Sequence, residues 1–230
     1  WPLQSPYPYS YRSSFCVPFT IFLAVLLMVP PPPGYSLFPY TPLFRSDGSF
    51  ANGGQVVVYH GSSGGVVDSS SWTAEGDQLD AFFGHAVANA GDVNKDGYDD
   101  IIVGAYGNDN GGTDEGQVYI YHGSASGLSA TPDQTLSGTV GSAFFGYSVA
   151  SAGDVNNDTY SDVIIGAYGE DKVYIYHGSA SGIAAAAAQT LTGDQGGSQF
   201  GISVSGAVDV NGDNYDDVIV GASLYDNGNT

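Results

Sequence analysis

The stretch that decides the fold runs from Phe82 to Tyr106 and reads FFGHAVANAGDVNKDGYDDIIVGAY. Two further stretches align with it without gaps: FFGYSVASAGDVNNDTYSDVIIGAY at residues 144–168 and QFGISVSGAVDVNGDNYDDVIVGAS at residues 199–223. Self-similarity of this kind is the mark of repeat architectures, in which each copy is one supersecondary unit packed on its neighbours. The sequence therefore predicts a row of repeats.

Two shorter motifs recur between these stretches, one ending in YHGS and one of the type QTLSG. The connection before the YHGS motif has 11 residues in one copy (107–117) and 4 in the next (169–172), while its flanks are unchanged. A change of length confined to one connection is typical of a surface loop. The YHGS copies lie at 56–62, 118–124 and 173–179, and the QTLSG copies lie at 134–138 and 189–193, with a weaker one at 72–76.

Each copy predicts four short strands, with the acidic loop between the first and the second. The second strand, DDIIVGA in the first copy, is almost continuously apolar, which favours burial on both faces of the sheet. A four-stranded sheet repeated every 40 to 60 residues or so is typical of a propeller blade. We therefore expect an all-β protein, a fragment of a β-propeller built from four-stranded antiparallel blades. Strands three and four of one blade (56–76) precede two complete blades, and strands one and two of another (199–223) follow, giving two complete and two half blades.

The amino-acid composition restricts the classes of molecule that the chain can bind. The chain has 230 residues, with 34 Gly, 17 Tyr and 11 Phe, so it has enough aromatic residues for a core and enough glycine for turns. Only 4 Lys and Arg stand against 24 Asp and Glu, for a formal net charge of −20. Nucleic-acid binding depends on Lys and Arg contacts to phosphate, so this balance argues against nucleic acid as a partner. An acid-rich surface suits divalent cations instead.

The first 46 residues differ in composition from the rest. They hold Arg12 and Arg45 and no acid, together with an apolar run from Phe19 to Val29. Eleven residues are too few to span a bilayer, which takes about 20. The run could be a remnant of a secretory signal, or the segment could be foreign, since residues 36–46 resemble a translated sequencing adapter. We interpret 1–46 as a non-domain head and 47–230 as the partial propeller.

The acidic loop DVNKDGYDD (92–100) suggests a cation site, but not an EF-hand. An EF-hand loop continues to a bidentate Glu at its twelfth position and then into a helix. Counting from Asp92, the twelfth position is Val103, within an apolar β-branched run that favours a strand. The alternative is a purely structural one, an acidic hairpin turn without a bound cation, because Asp, Asn and Gly dominate turns. Several carboxylates crowded into nine residues in each of three copies would repel one another without a cation, which favours the metal interpretation.

Three motif elements together resemble a known family. The FG pairs at 83–84, 145–146 and 200–201, the acidic loops that follow, and the GAY or GAS ends resemble the FG-GAP repeat of the integrin α-subunit propeller and its bacterial relatives. The resemblance covers about residues 50–230, and it departs from the family pattern where Tyr or Ser replaces the final Pro of GAP.

The resemblance implies three Ca²⁺ sites, one in each acidic loop. In that family, ligands come from loop positions one, three, five, seven and nine, with position seven giving its backbone carbonyl. Oxygen donors of this type suit calcium. The implied ligands are Asp92, Asn94, Asp96, Tyr98 and Asp100 in the first loop, Asp154, Asn156, Asp158, Tyr160 and Asp162 in the second, and Asp209, Asn211, Asp213, Tyr215 and Asp217 in the third.

Position six of each loop must turn sharply, and we expect a positive φ there. Gly97 adopts such a conformation at little cost, Asn214 tolerates it, and the β-branched Thr159 adopts it reluctantly. All three loops offer the same donor set, so the turn is what separates them. We therefore expect the loop at 154–162 to bind calcium most weakly.

The resemblance also implies a function: a calcium-binding, integrin-α-like propeller on the cell surface or in the extracellular space that serves as a binding or adhesion module. An extracellular protein or glycan would bind the face opposite the calcium loops, and the propeller itself would not insert into a membrane. No Walker, zinc-ligand or G-x-S-x-G spacing appears, so we do not expect an enzyme. The alternative is a non-catalytic propeller attached to a secreted hydrolase, such as a phospholipase, whose active site lies outside this sequence. The loops of the implied ligand face are 107–117, 169–172 and 224–230 within blades and 77–81, 139–143 and 194–198 between them.

One packing expectation concerns the aromatic pairs that open two of the copies. Phe82 and Phe83, and likewise Phe144 and Phe145, are expected to lie in the core between blades.

Overall fold

The computed structural model describes residues 50–227. The head at 1–46 and the last three residues of the 224–230 loop therefore lie outside the described part of the chain. Within that part, the regular elements are fourteen strands and one 3₁₀ helix, Tyr168–Glu170. The strands are β1 (Gln55–Val58), β2 (Gly61–Ser62), β3 (Gly65–Val66), β4 (Trp72–Glu75), β5 (Ala86–Gly91), β6 (Asp100–Ala105), β7 (Gln117–Tyr121), β8 (Gln134–Ser137), β9 (Ser148–Gly153), β10 (Asp162–Ala167), β11 (Lys172–Tyr176), β12 (Gln189–Thr192), β13 (Phe200–Val208) and β14 (Asp217–Ala222).

The strands form two complete four-stranded antiparallel sheets, ordered β5-β6-β7-β8 and β9-β10-β11-β12. Two-stranded sheets flank them in sequence: β1 pairs with β4, and β13 pairs with β14, while β2 and β3 form a small hairpin. The β1–β4 pair supplies strands three and four of one blade, and β13–β14 supplies strands one and two of another. The predicted all-β fold of two complete and two partial blades is confirmed. No helix within residues 50–227 has the length and apolar character needed to cross a membrane.

The second strand of each complete blade is buried because its side chains are apolar on both faces. All six residues of β10 are buried, and so are five of the six in β6. The register repeats between the blades: Ile102 pairs with Ala88 and Ile120, and Ile164 pairs with Ala150 and Ile175. Equal register in two copies follows from equal sequence pattern, since a slip of one residue would turn the apolar side chains to the wrong face.

Glycine allows the blades to approach closely. A Cβ on Gly104 would lie 2.0 Å from the carbonyl oxygen of Gly146, and one on Gly166 would lie 2.1 Å from that of Gly201. Both sites belong to the GA element at the end of the second strand, so no larger residue fits there without moving the next blade. The recurrence of Gly followed by Ala in the two complete blades thus has a packing cause.

The aromatic pairs divide between the core and the surface, and the expectation that both residues are core residues is wrong. Phe83 and Phe145 are 4% and 2% exposed, and they belong to the inter-blade core. Phe82 and Phe144 instead adopt left-handed backbone conformations, with φ of 53° and 55°. Phe82 is 37% exposed. The left-handed residue turns its ring away from the core that its neighbour enters.

Candidate metal centre

The three acidic loops occupy the same place in three successive blades. Each connects the first strand to the second: 92–99 joins β5 to β6, 154–161 joins β9 to β10, and 209–216 joins β13 to β14. Because these strands pair in the same way in each blade, the loops lie at one end of the sheets. The structure therefore places the predicted ligand sets as one row.

Backbone N–H groups hold the carboxylates of the first loop inside the turn. The two carboxylate oxygens of Asp92 accept hydrogen bonds from Asp96 N–H at 3.0 Å and from Gly97 N–H at 2.8 Å. Asn94 Oδ1 accepts a second bond from Asp96 N–H at 2.9 Å, and Asp96 Oδ1 accepts one from Tyr98 N–H at 3.0 Å. Each oxygen keeps a lone pair after one hydrogen bond, so the loop orients acceptors without consuming them.

The bonds to the carboxylate at position one recur in the second and third loops. The bond to the Asn at position three recurs in the second loop, where Asn156 Oδ1 accepts from Asp158 N–H at 3.0 Å, and is not found in the third loop among the described residues. Asp154 accepts bonds from Asp158 and Thr159 N–H at 3.0 and 2.7 Å, and Asp209 accepts bonds from Asp213 and Asn214 N–H at 3.2 and 2.8 Å. These bonds to Asp209 lower the pKa of its carboxyl, with the Asn214 N–H bond contributing most. A carboxylate that accepts several N–H bonds stays ionised, as a metal ligand must.

Position nine is a buried anchor in the first two loops, whereas Asp217 in the third loop is half-buried and accepts a hydrogen bond from Val210 N–H at 2.9 Å. Asp100 and Asp162 are fully buried, although each is acidic. Asp100 accepts bonds from Val93 and Gly123 N–H, both at 2.9 Å, and Asp162 accepts the matching bonds from Val155 and Gly178. Each anchor therefore ties its loop to the end of strand three.

Burial dominates the titration of the two anchors. It raises the pKa of Asp100 and of Asp162, against the lowering effect of the two backbone hydrogen bonds that each accepts. The nearby carboxylates of Asp96 and Asp158 add to the rise. A buried carboxylate beside another carboxylate is costly to ionise unless a cation joins them.

The oxygen donors of these loops suit calcium, although their carboxylates are hydrogen-bonded to backbone N–H groups of the same loop. Within residues 50–227, no three His, Cys, Asp or Glu side chains are gathered closely enough to hold a metal as they stand. The candidate donor set, however, also uses an Asn amide oxygen and a backbone carbonyl. The carbonyls of Tyr98, Tyr160 and Tyr215 accept no backbone hydrogen bond in the described part of the chain. Carboxylate, amide and carbonyl oxygens are the donors that Ca²⁺ takes.

The loops turn through two left-handed residues each. Position six has φ of 93° at Gly97, 79° at Thr159 and 71° at Asn214, which confirms the predicted turn. Position four is also left-handed in every copy, and sequence reasoning missed it. The residues at position four are Lys95, Asn157 and Gly212, with φ of 60°, 59° and 81°.

A row of aromatic rings lies at the opposite end of the blades. Tyr106 stacks on Phe82 with ring centroids 5.0 Å apart, and Tyr168 stacks on Phe144 at 5.1 Å. Tyr147 joins the two stacks, at 5.1 Å from Tyr106 and 4.6 Å from Tyr168. These rings follow strand two or precede strand one, so they belong to the end away from the acidic loops. The signal in the sequence was the recurrence of Phe and Tyr at equal places in two copies.

The comparison with protein families agrees with this architecture. The family model described as FG-GAP repeat matches residues 83–121, 145–185 and 200–230. The chain carries FG-GAP repeats. The first match begins at the buried Phe83 and the second at the buried Phe145, and each contains one acidic loop.

Curated relatives of these FG-GAP repeats are integrin alpha chains. Integrin alpha-3 of Cricetulus griseus is 40% identical over 179 residues, which is 74% of this chain and 17% of the relative. Integrin alpha-6 of Gallus gallus is 41% identical over 152 residues, 64% of this chain and 14% of the relative. Integrin alpha-7 of Homo sapiens is 39% identical over 151 residues, 64% and 13% respectively. The chain thus spans less than a fifth of the length of these relatives.

Proposed function

We propose that this FG-GAP chain is a calcium-binding, integrin-α-like propeller segment that serves as an extracellular or cell-surface binding module. The supporting observation is that three loops of matching sequence, at one end of the blades, share the hydrogen bond from the N–H of position five to the carboxylate of position one. Similarity to integrin alpha chains at about 40% identity supports the module's class. On this proposal the segment binds partners rather than catalysing a reaction.

The residues at positions one, three, five, seven and nine would hold one Ca²⁺ in each loop. The ion supplies positive charge that offsets the repulsion among the loop's carboxylates. Asp92 and its equivalents are held by backbone N–H groups at the start of the loop, and Asp100 and its equivalents are held at its end. A loop fixed at both ends needs little further ordering when an ion binds, which favours binding.

Calorimetric titration with calcium tests the metal proposal. We expect three sites with dissociation constants of about 10⁻⁴–10⁻³ M, the range of extracellular modules. Asp96→Ala should remove one site and leave two, because it deletes a ligand at position five. Asp99→Ala is the matched control: it removes an acid from the same loop that is outside the ligand set and should leave three sites. Three loops without calcium-dependent heat would refute the proposal.

The proposed ligand face is the end opposite the calcium loops. The aromatic row there supports it, because aromatic rings are enriched in protein-binding surfaces. An extracellular protein or a glycan is the class of ligand we propose. The test is binding of the chain to arrays of matrix glycoproteins and glycans, comparing Tyr147→Ala with Asp99→Ala. Ligand binding that survives Tyr147→Ala and is lost in Asp99→Ala would show that the ligand binds at the acidic end, which would contradict the proposed face.

A further inference from the structure

Neighbouring acidic loops contact each other through the residue at position eight, which the ligand set leaves out. That residue is Ser161 in the second loop and Asp216 in the third. Ser161 N–H donates to the carbonyl of Asp92 at 3.2 Å, and Asp216 N–H donates to the carbonyl of Asp154 at 3.1 Å. In both pairs the acceptor belongs to position one of the preceding loop, which is the first proposed calcium ligand.

The contact between the second and third loops is the stronger of the two. Asp216 accepts a hydrogen bond from Asp154 N–H at its Oδ2, at 2.8 Å, in addition to donating its own N–H to the Asp154 carbonyl. Asp154 is thereby held at both backbone groups by one residue of the next blade. The carboxylate fits because Gly153 leaves room: a Cβ on Gly153 would lie 2.1 Å from Asp216 Oδ2.

The two hydrogen bonds between Asp216 and the backbone of Asp154 form a clamp. The contact between the first and second loops has the backbone bond of this clamp but not the side-chain bond. Ser161 faces Gly91, where a Cβ would lie 2.4 Å from the Ser161 hydroxyl oxygen. Ser161 Oγ forms no hydrogen bond among the contacts of the described residues, so Asp92 N–H donates none to it. The same glycine-lined space therefore holds a carboxylate at one interface and a short hydroxyl at the other.

We infer that position eight of each FG-GAP loop positions the first calcium ligand of the preceding blade, and that Asp216 does so for the loop at 154–162. The inference rests on the proposed calcium function. Asp216 is a positioning residue: it orients Asp154 through the backbone. The loops thus form a directional row, in which the second site depends on the third through Asp216 and the first site depends less on the second.

Terbium luminescence can read one loop at a time. Tb³⁺ replaces Ca²⁺ in oxygen sites and emits when a nearby tyrosine is excited, and every loop has a tyrosine at position seven. Since that position contributes only its backbone carbonyl, Tyr→Phe removes the sensitiser and keeps the ligand. The Tyr160 background carries Tyr98→Phe and Tyr215→Phe and also Asp96→Ala, because the Tyr160 ring lies 5.8 Å from Lys95 Nζ of the first loop and would sensitise an ion there. In the Tyr98 background, Tyr160→Phe and Tyr215→Phe leave Tyr98 to report on the first loop.

In the Tyr160 background, Asp216→Ser should weaken terbium binding about tenfold. Losing a group that orients a metal ligand costs 10- to 100-fold in affinity, and we take the lower end because Asp216 acts through the backbone of Asp154. Asp216→Asn should recover most of the loss, because its amide oxygen still accepts the Asp154 N–H. Equal losses in the Ser and Asn variants would show an effect of charge alone and would overturn the positioning role.

The reverse exchange keeps the inference testable if Asp216 variants fold poorly. Ser161→Asp installs the clamp on Asp92, in the space that Gly91 leaves, and should tighten the Tyr98-reported site about five- to tenfold, with Ser161→Asn giving part of the gain. Unchanged affinity at both sites in both exchanges would overturn the inference while leaving calcium binding intact. Absence of terbium emission from every loop would overturn the calcium proposal itself, and the inference with it.

Discussion

At position six of the acidic loops, Thr159 occupies a left-handed backbone conformation that glycine fills in the first copy. A non-glycine residue pays about 1–2 kcal/mol there. Where the ion-free loop relieves this strain, ion binding has to restore it. Thr159→Gly should therefore tighten the second proposed calcium site about tenfold, since 1.4 kcal/mol is a factor of ten. Gly97→Thr should weaken the first site by a similar factor. Titration of each variant, with the thermal stability of the calcium-free protein measured beside it, checks the prediction.

Thr159→Gly also removes a side-chain contact, so a control is needed. The Thr159 hydroxyl accepts a hydrogen bond from Lys95 Nζ, and the Lys95 ammonium lies 5.8 Å from the centroid of the Tyr160 ring. Thr159→Ala removes that hydroxyl but keeps the Cβ, so the difference between the Gly and Ala variants isolates the backbone strain. If the free loop already holds the left-handed turn, the gain appears as stability rather than affinity. A Gly variant no better than the Ala variant in either respect would refute the strain argument.

The left-handed backbone conformation at position six of the loops could be predicted from the sequence, and the one at position four could not. Gly97, Thr159 and Asn214 include two residue types that tolerate positive φ, and the known geometry of cation loops directs attention to them. Lys95 carries no such signal, and the mixture of Lys, Asn and Gly at position four looks like ordinary surface variation. The folded loop, rather than the preference of the residue, sets its φ of 60°.

The short connection before β11 contains a contact, here called the Asp171 clamp, in which one carboxylate accepts hydrogen bonds from the following inter-blade loop. The longer connection before β7 has a backbone carbonyl at the matching place. Asp171, in a left-handed conformation with φ of 53°, accepts hydrogen bonds from Gly197 N–H, from Phe200 N–H at 3.1 Å and from the Ser198 hydroxyl at 3.2 Å. In the longer connection the matching Phe145 N–H bonds to the main-chain carbonyl of Glu115. A carboxylate thus replaces a backbone acceptor where the loop is shorter.

The Asp171 clamp should give stability that depends on pH. Burial raises the pKa of Asp171, but the hydrogen bonds it accepts outweigh burial and the pKa is lowered overall. A lowered folded pKa contributes stability above the unfolded value, about 3.9, and that stability is lost as the pH falls through the folded pKa. At pH 7, Asp171→Asn should therefore lower the free energy of unfolding by about 1 kcal/mol, a value reduced by the partial exposure of the site.

Urea unfolding from pH 7 down to pH 3 measures this effect. The difference between the wild type and Asp171→Asn should shrink as the pH falls below about 4, because the aspartate then becomes protonated. Asp194→Asn removes an exposed acid from the following inter-blade loop and should leave stability unchanged. A constant difference across this pH range would contradict the clamp.

The strands themselves could be predicted because their pattern is local. Continuous apolar runs predicted the buried β6 and β10, and the recurrence of the repeat gave their partners. The division of Phe82 from Phe83 could not be predicted, because it depends on a left-handed turn that places adjacent rings on different sides. The Asp171 clamp was also missed, since one aspartate before a strand has no distinctive spacing.

For the whole molecule, the excess of acid should make stability depend on calcium. With 24 Asp and Glu against 4 Lys and Arg, the folded chain carries strong self-repulsion. Three sites filled at ten times their dissociation constant would add about 1.4 kcal/mol each, or about 4 kcal/mol in all. We expect calcium to raise the melting temperature by about 10 °C and chelation to reverse the rise.

Calorimetric scans with calcium, and with sodium chloride at equal ionic strength, separate binding from screening. A variant with Asp96→Ala, Asp158→Ala and Asp213→Ala should lose the calcium effect and keep the smaller salt effect. An equal rise with sodium chloride alone would show that screening, and not the loops, accounts for the stabilisation.

The ligand assignment is tested most directly by a crystal structure of the chain grown with calcium. The account predicts one ion in each acidic loop, with oxygen ligands at about 2.3–2.6 Å from positions one, three, five, seven and nine. In the first loop these are Asp92, Asn94, Asp96, the Tyr98 carbonyl and Asp100. Loops that keep their carboxylates on the backbone N–H groups and hold no ion at saturating calcium would contradict it.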